Sequence, residues 1–348
     1  MSILAKLRAL ATPNFVPSGA EQVIGAPTLP SPTVVSIIAP NLQTKQKRSV
    51  KEKLMRGSVE WSPDLARVVA LPRRPKPDLK NIAEELTTRL KKPHGRQTLR
   101  EIQAWMLWEA PQAGGLIANV AVGAGKSLPN LLMPMVMPSC RRAVLFIPPD
   151  LRPQLERDIE FYGQHWNLPN ISGGDNFVTG RPVLHIIAYS ELSSPKSSAL
   201  LKQLNPDLII ADEVASLKAR SAARVKRFLR YAADNGDVRF CGWSGTLTTK
   251  SLLDFAHLAA VALDKHSPVP LHAPTVEEWA SALDPDDLRG GYFDPGKLKT
   301  SFCNPGESVR EGFRRRLTDT RGFVATAENQ LGVSLNFFQR KPPPVPDK

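Results

Sequence analysis

The sequence has few cysteines and no long apolar run, and each shortage excludes a class of protein. Its three cysteines, Cys140, Cys241 and Cys303, are odd in number and far apart, so we expect neither a disulfide framework nor a zinc cluster. No segment approaches the ~18 apolar residues that a membrane span requires, and the apolar run at the N-terminus is too short for a secretion signal. These shortages predict a cytoplasmic protein that does not cross a membrane.

Acidic residues are scarce in the first hundred positions. Residues 1 to 100 hold 18 Lys and Arg against 7 Asp and Glu, a balance of +11 within the chain's formal net charge of +13. Positive charge gathered at one end favours contact with a polyanion, most commonly nucleic acid, although a solvated basic linker has the same composition. Lys47, Arg48 and Lys51 are the candidate phosphate contacts.

The composition divides the chain into three parts. Residues 1–95 are basic and proline-rich, and their broken apolar runs predict an extension that is partly disordered, with a short amphipathic helix at 81–89. Residues 96–265 alternate apolar, strand-like runs with helical patterns. Residues 266–348 predict a helical and irregular segment. The strand-like runs lie at 116–120, 143–147, 183–189, 207–211 and 238–243.

Continuously apolar strands that alternate with helices are typical of parallel βαβ units, in which both faces of the sheet are covered. The predicted fold class is therefore α/β, with a mainly parallel sheet and helices on both faces.

The first motif is VGAGKS, from Val122 to Ser127, between a predicted strand and a predicted helix. Gly123 and Gly125, with Ala124 between them, let backbone N–H groups turn toward phosphate oxygens, and the helix N-terminus favours the same anion. Lys126 would reach the β- and γ-phosphates of ATP, and Ser127 would ligate Mg²⁺. The full phosphate-loop pattern has a glycine where this chain has Val120.

The second motif is LIIADE, from Leu208 to Glu213, an apolar strand that ends in two carboxylates. A buried parallel strand presents its last residues at the carboxyl edge of the sheet, where ligands bind in open α/β folds. Asp212 would hold Mg²⁺, and Glu213 would orient and deprotonate the attacking water.

The third motif is WSGTL, again at the end of an apolar strand. Its polar residues, Ser244, Gly245 and Thr246, would relay the state of the γ-phosphate to a nucleic-acid site, although the segment taken alone is only a turn.

In this order the segments resemble the first RecA-like domain of superfamily 2 helicases and translocases, most closely the Swi/Snf type. The resemblance implies that Gln103 reads adenine, that the chain binds nucleic acid, and that double-stranded DNA is the favoured form. It also implies that a second RecA-like domain completes the site. The segments that carry it are 99–103, 114–127, 146–154, 186–192, 211–218 and 244–255.

The chain departs from that family in three ways. Ala215 stands where many relatives have a histidine that couples hydrolysis to the other domain, and Leu247 stands where a proline is usual. The segments that form the second RecA-like domain are missing. We therefore expect weak or no ATP hydrolysis from this chain alone, because arginines of that second domain neutralise charge in the transition state.

Two alternatives stay open at this point. A viral DNA-packaging motor also combines a phosphate loop with an acidic strand end. A non-catalytic nucleic-acid-binding scaffold would explain Val120 and Ala215.

Overall fold

The computed structural model describes residues 57–245, 251–284 and 293–326. The strands in these ranges are β1 (Gly57–Ser58), β2 (Leu116–Asn119), β3 (Arg142–Ile147), β4 (Asn170–Ile171), β5 (Val183–Ala188), β6 (Leu208–Asp212), β7 (Arg239–Ser244), β8 (Phe293–Asp294) and β9 (Phe323–Ala325).

The helices begin with α1 (Pro63–Ala70), α2 (Leu79–Leu90), α3 (Glu101–Ala113), α4 (Ser127–Val136), α5 (Arg152–Gly163) and α6 (Tyr189–Ser193). They continue with α7 (Leu200–Leu204), α8 (Ala223–Asp234), α9 (Ala256–Leu263), α10 (Ala273–Leu283), α11 (Lys297–Phe302) and α12 (Val309–Thr318). Short 3₁₀ segments lie at Pro149–Leu151, Pro195–Ser197, Val214–Leu217, Leu252–Asp254 and Asp264–His266.

Seven strands form one parallel sheet in the order β4-β5-β3-β6-β7-β2-β9. The strand before the phosphate loop, β2, is separated from the acidic strand β6 by β7 alone. In this register Asn119 faces Ser244, and Trp243 faces Asp212. The ends of these three strands therefore meet at one edge of the sheet.

Both faces of the sheet are covered, because alternate residues of each strand enter different cores. In β6, Ile209 and Ala211 pack in one apolar cluster with α8, α9 and α10. Leu208 and Ile210 pack in the other cluster with α2, α3 and α4. The α/β fold class predicted from the sequence, with a parallel sheet and helices on both faces, is confirmed.

The segments on either side of residues 96–265 differ from the sequence-based expectation. Residues 63–70 and 79–90 are helices that contribute buried residues to the two cores, so the basic extension does not run as irregular chain to residue 95. The second of these helices agrees with the amphipathic pattern of residues 81–89, whereas the first was not predicted. After residue 265, β9 pairs with β2 and completes the sheet. The proline content of this region disguises the first helix in the sequence. Pro63 is nevertheless compatible with the helix, because it occupies the first helical position, where its missing N–H costs no hydrogen bond.

The three cysteines are free thiols. Among the described residues, no helix combines the length and the apolar character that a membrane crossing needs.

Candidate nucleotide site

The phosphate loop connects the end of β2 to the first residue of α4, Ser127. Gly123 and Gly125 have φ values of 85° and 79°, in the left-handed region that glycine adopts without steric cost. A side chain at residue 125 would also collide with the amide of Gln103, because its Cβ would lie 2.5 Å from Nε2. Val122 is 77% exposed at the outside of the turn.

Two residues at the start of α3 donate side-chain hydrogen bonds to backbone carbonyl groups of this loop. Gln103 donates from Nε2 to the carbonyl oxygen of Gly125 (2.8 Å) and accepts the N–H of Arg100 on Oε1 (2.9 Å). Arg100 donates from Nη1 to the carbonyl oxygen of Gly123 (3.0 Å). Gln103 is therefore next to the loop, where the adenine hypothesis requires it, but each end of its amide already has a partner within the protein.

The end of β6 is buried against α4. Asp212 accepts a hydrogen bond on Oδ2 from Nδ2 of Asn130 (2.9 Å) and one on Oδ1 from the N–H of Glu213 (3.0 Å). Burial raises the pKa of Asp212 above its ordinary value, and the nearby charge of Glu213 acts in the same direction. The hydrogen bond from Asn130 and the charge of Lys126 oppose that shift in pKa.

Glu213 joins the three motifs through its side chain. Its Oε1 accepts from Nζ of Lys126 at 2.5 Å, and its Oε2 accepts from Oγ of Ser244 at 2.9 Å. The backbone at Glu213 has φ 49°, a left-handed conformation that is unfavourable for a residue with a side chain. This turn directs the carboxylate back across the sheet edge toward the phosphate loop.

The structure brings together most of the residues predicted for the site. Lys126, Asp212, Glu213 and Ser244 form one hydrogen-bonded group at the carboxyl edge of β2, β7 and β6, with Asn130 as an added member. Gly245 follows on the same edge, where an added Cβ would lie 3.5 Å from the carbonyl oxygen of Val120. Thr246 and the basic residues Lys47, Arg48 and Lys51 lie outside the described residues.

Three further residues were missed by the sequence analysis. Asn130 had a detectable signal, because it lies one helical turn after Lys126 in an otherwise apolar helix. Tyr189, whose hydroxyl donates to the carbonyl oxygen of Asp212 (2.9 Å), gave no signal that separates it from an ordinary core aromatic. Thr326 gave none either, although its Oγ1 accepts the N–H of Ala121 (3.3 Å) at the entry to the phosphate loop.

The donor set fits a magnesium-bound triphosphate. Mg²⁺ is usually held by one or two carboxylates together with waters and substrate phosphates, and it rarely has a cage made of protein alone. Ser127, the first residue of α4, could supply a hydroxyl, and Asp212, the last residue of β6, could supply a carboxylate. Lys126, directly before α4, could supply a cation for the phosphates. Within the described ranges no cluster of three or more His, Cys, Asp or Glu side chains suited to a metal is found.

Comparisons with known proteins gave structural likeness only. No protein-family model matches the chain, and no curated protein matches it. Among solved structures, it is similar to the UvsW helicase of bacteriophage T4, with TM-score 0.36 and 15% identity over 53% of this chain and 66% of that one. A second T4 UvsW structure matches with TM-score 0.36 and 15% identity over 53% of this chain and 38% of that one.

It is also similar to the Sulfolobus solfataricus SWI2/SNF2 ATPase core in complex with dsDNA, with TM-score 0.41 and 14% identity. That match covers 68% of this chain and 46% of that one. The chain spans less than two thirds of the length of each of these structures.

Proposed function

We propose that this chain is the ATP-binding half of a nucleic-acid-dependent motor ATPase, of the helicase or translocase kind. The observation that carries the proposal is the contact of Glu213 with both Lys126 and Ser244, because it unites a phosphate loop, an acidic strand end and a third strand at one edge. ATP and Mg²⁺ are the ligands that this combination of groups suits. Double-stranded DNA and a second RecA-like domain are the partners we propose.

The side chains have separable roles in this proposal. Lys126 binds the β- and γ-phosphates, which requires its ammonium group to leave Glu213. Glu213, once released, orients a water molecule and accepts its proton, while Ser244 keeps the carboxylate directed at the loop. Ser127 and Asp212 would hold Mg²⁺, which supplies charge neutralisation on the phosphates when it is bound.

Turnover requires more than these groups. The charge that develops on the transferred phosphoryl group is commonly neutralised by an added arginine, which contributes about 10³- to 10⁵-fold in rate in related enzymes. We propose that a second RecA-like domain supplies this arginine, so that the chain alone binds ATP and hydrolyses it weakly. Turnover that stays at background with DNA and the second half present would favour the non-catalytic scaffold.

Nucleotide affinity tests the proposal without requiring turnover. Lys126→Ala removes a charged donor to the phosphates, and we expect it to weaken binding of a fluorescent ATP analogue with Mg²⁺ by about 10- to 100-fold. Lys202→Ala is the matched control, because Lys202 is exposed and pairs with Asp234 at the surface, 3.6 Å away. Equal affinities for the two variants would contradict the assignment of the loop.

A further inference from the structure

A second concentration of positive charge lies in the middle of the chain. The 20 residues from 214 to 233 contain six Lys and Arg and no Asp or Glu. Residues 101–348 have a net charge of only +2, so the +6 of this segment is offset by acidic residues elsewhere in that range. The segment is therefore more positive than its surroundings. The cations are Lys218, Arg220, Arg224, Lys226, Arg227 and Arg230.

The helix α8 separates these residues into a buried face and an exposed face. Val225, Phe228 and Leu229 are buried in the core. Ala223, Lys226, Arg230 and Ala233 are exposed, and their spacing of three and four residues places them on one side of the helix. Small alanines flank the two cations, so a long polymer can approach this side closely.

Two other arginines of the segment fix the position of this helix. Arg227 donates from Nη1 to the carbonyl oxygens of Leu192 and Ser194, each at 2.5 Å. Arg224 donates from Nε to the carbonyl oxygen of Ser216 (2.8 Å), which belongs to the 3₁₀ turn directly after Glu213. The helix that carries the exposed cations is therefore hydrogen-bonded to the chain at residues 192–194 and to the 3₁₀ turn at residue 216.

Lys226 and Arg230 are available to an outside ligand. Within the described part of the chain no ion pair involves either of them, and the next acid on the helix, Asp234, pairs with Lys202. Positive side chains left without acidic partners raise the local potential and attract anions. Arginine and lysine both suit phosphate groups, which arginine can bind through two N–H donors.

The surroundings favour a nucleic acid over other polyanions. None of the large apolar side chains that are exposed in the described ranges lies between residues 214 and 233. This side therefore lacks the apolar residues that insert into a lipid surface and the aromatic anchors typical of a protein interface. A helix of 12 residues is about 18 Å long, which equals roughly five base-pair steps of about 3.4 Å.

We propose that the exposed side of α8, with Lys226 and Arg230 as its contacts, binds the phosphate backbone of a nucleic acid. This proposal rests on the proposed function for the kind of partner, but it concerns a surface outside the nucleotide site. The bond from Arg224 to Ser216 connects α8 to the 3₁₀ turn that directly follows Glu213.

The test uses the full chain and a fluorescein-labelled DNA duplex, titrated at several salt concentrations. Replacing two phosphate contacts with alanine, in Lys226→Ala/Arg230→Ala, lowers the slope of log affinity against log salt by about 1.8 and weakens binding at least tenfold near 0.1 M salt. Lys80→Ala/Arg89→Ala is the control, because it removes the same charge from exposed positions on α2, beside Glu84 and Glu85.

A lower slope and a lower affinity in the α8 variant alone would support the proposal. An α8 variant that follows the control, or one that loses affinity only for vesicles of anionic lipid, would overturn it. Binding of the fluorescent ATP analogue, measured on the same samples, separates this result from the proposed function. An α8 variant that keeps nucleotide affinity shows that any loss of DNA binding arises at α8 itself.

Discussion

At the scale of the residue, Asp212 is placed where its charge is costly to the folded chain. Burial raises its pKa, so the folded protein holds the proton of this carboxyl more tightly than the unfolded chain does. Below the ordinary pKa of aspartate the group is protonated in both states and imposes no penalty. The penalty develops as pH rises above the ordinary pKa, and it is complete once pH exceeds the raised pKa of the folded protein.

Asp212→Asn should therefore raise the thermal unfolding midpoint of the nucleotide-free protein at neutral pH, and this gain should disappear in acid. The new amide also has a partner available, because Oδ1 of Asn130 is buried without a hydrogen bond. Unfolding curves of the two proteins across this pH range measure the difference. Asp175→Asn, at an exposed position, is the control. A variant less stable than the parent at neutral pH would contradict this account of Asp212.

At the scale of the element, β9 and the segment before α2 are held to α3 by one buried ion pair. Arg74 Nη1 lies 3.5 Å from Glu109 Oε1, with the two side chains only 5% and 0% exposed. Arg74 also donates from Nη1 to the carbonyl oxygen of Phe323, and its guanidinium lies over the ring of Trp105. Glu109 accepts the N–H of Gly322 (2.8 Å), directly before β9. The strand beside the phosphate-loop strand is therefore anchored by a residue far earlier in the chain.

Arg74→Ala should lower the free energy of unfolding by about 3 to 5 kcal/mol, because it leaves the buried charge of Glu109 without a positively charged partner. Its neighbour Arg73 pairs with Asp319 at 3.9 Å and has a side chain that is 68% exposed. Arg73→Ala should therefore cost less than about 1 kcal/mol. Denaturant unfolding of both variants measures the two changes in the free energy of unfolding. Equal decreases would show that the buried ion pair stabilises the fold no more than the exposed one.

At the scale of the whole molecule, the folded unit begins before the boundary that composition indicated. A chain that starts at residue 57 retains α1, α2 and Arg74, so it should keep its cooperative unfolding and its ATP affinity. It should also bind DNA with a weaker salt dependence, because Lys47, Arg48 and Lys51 are removed. A chain that starts at residue 96 loses buried residues of both cores and should unfold or aggregate. Circular dichroism and nucleotide titration of the two truncated proteins test this, and a stable, ATP-binding protein from residue 96 would contradict it.

The sequence predicted the central strands and the sheet edge at which the three motifs meet, for a physical reason. Strands buried on both faces are apolar throughout, so β3 and β6 stand out, and parallel topology then brings Lys126, Asp212 and Ser244 to the same edge. β9 was missed because it has only three residues and is formed through pairing with β2. The ion pair between Lys126 and Glu213 depends on the left-handed turn at Glu213, which no local pattern indicates.

The most direct test of the central claim is a structure of the chain determined with Mg²⁺ and a non-hydrolysable ATP analogue. We expect a triphosphate against residues 122–127, with Mg²⁺ held by Ser127 and Asp212. We also expect Nζ of Lys126 to move from Glu213 to the phosphates. A nucleotide bound elsewhere, or a bound nucleotide beside an unbroken pair of Lys126 and Glu213, would contradict it.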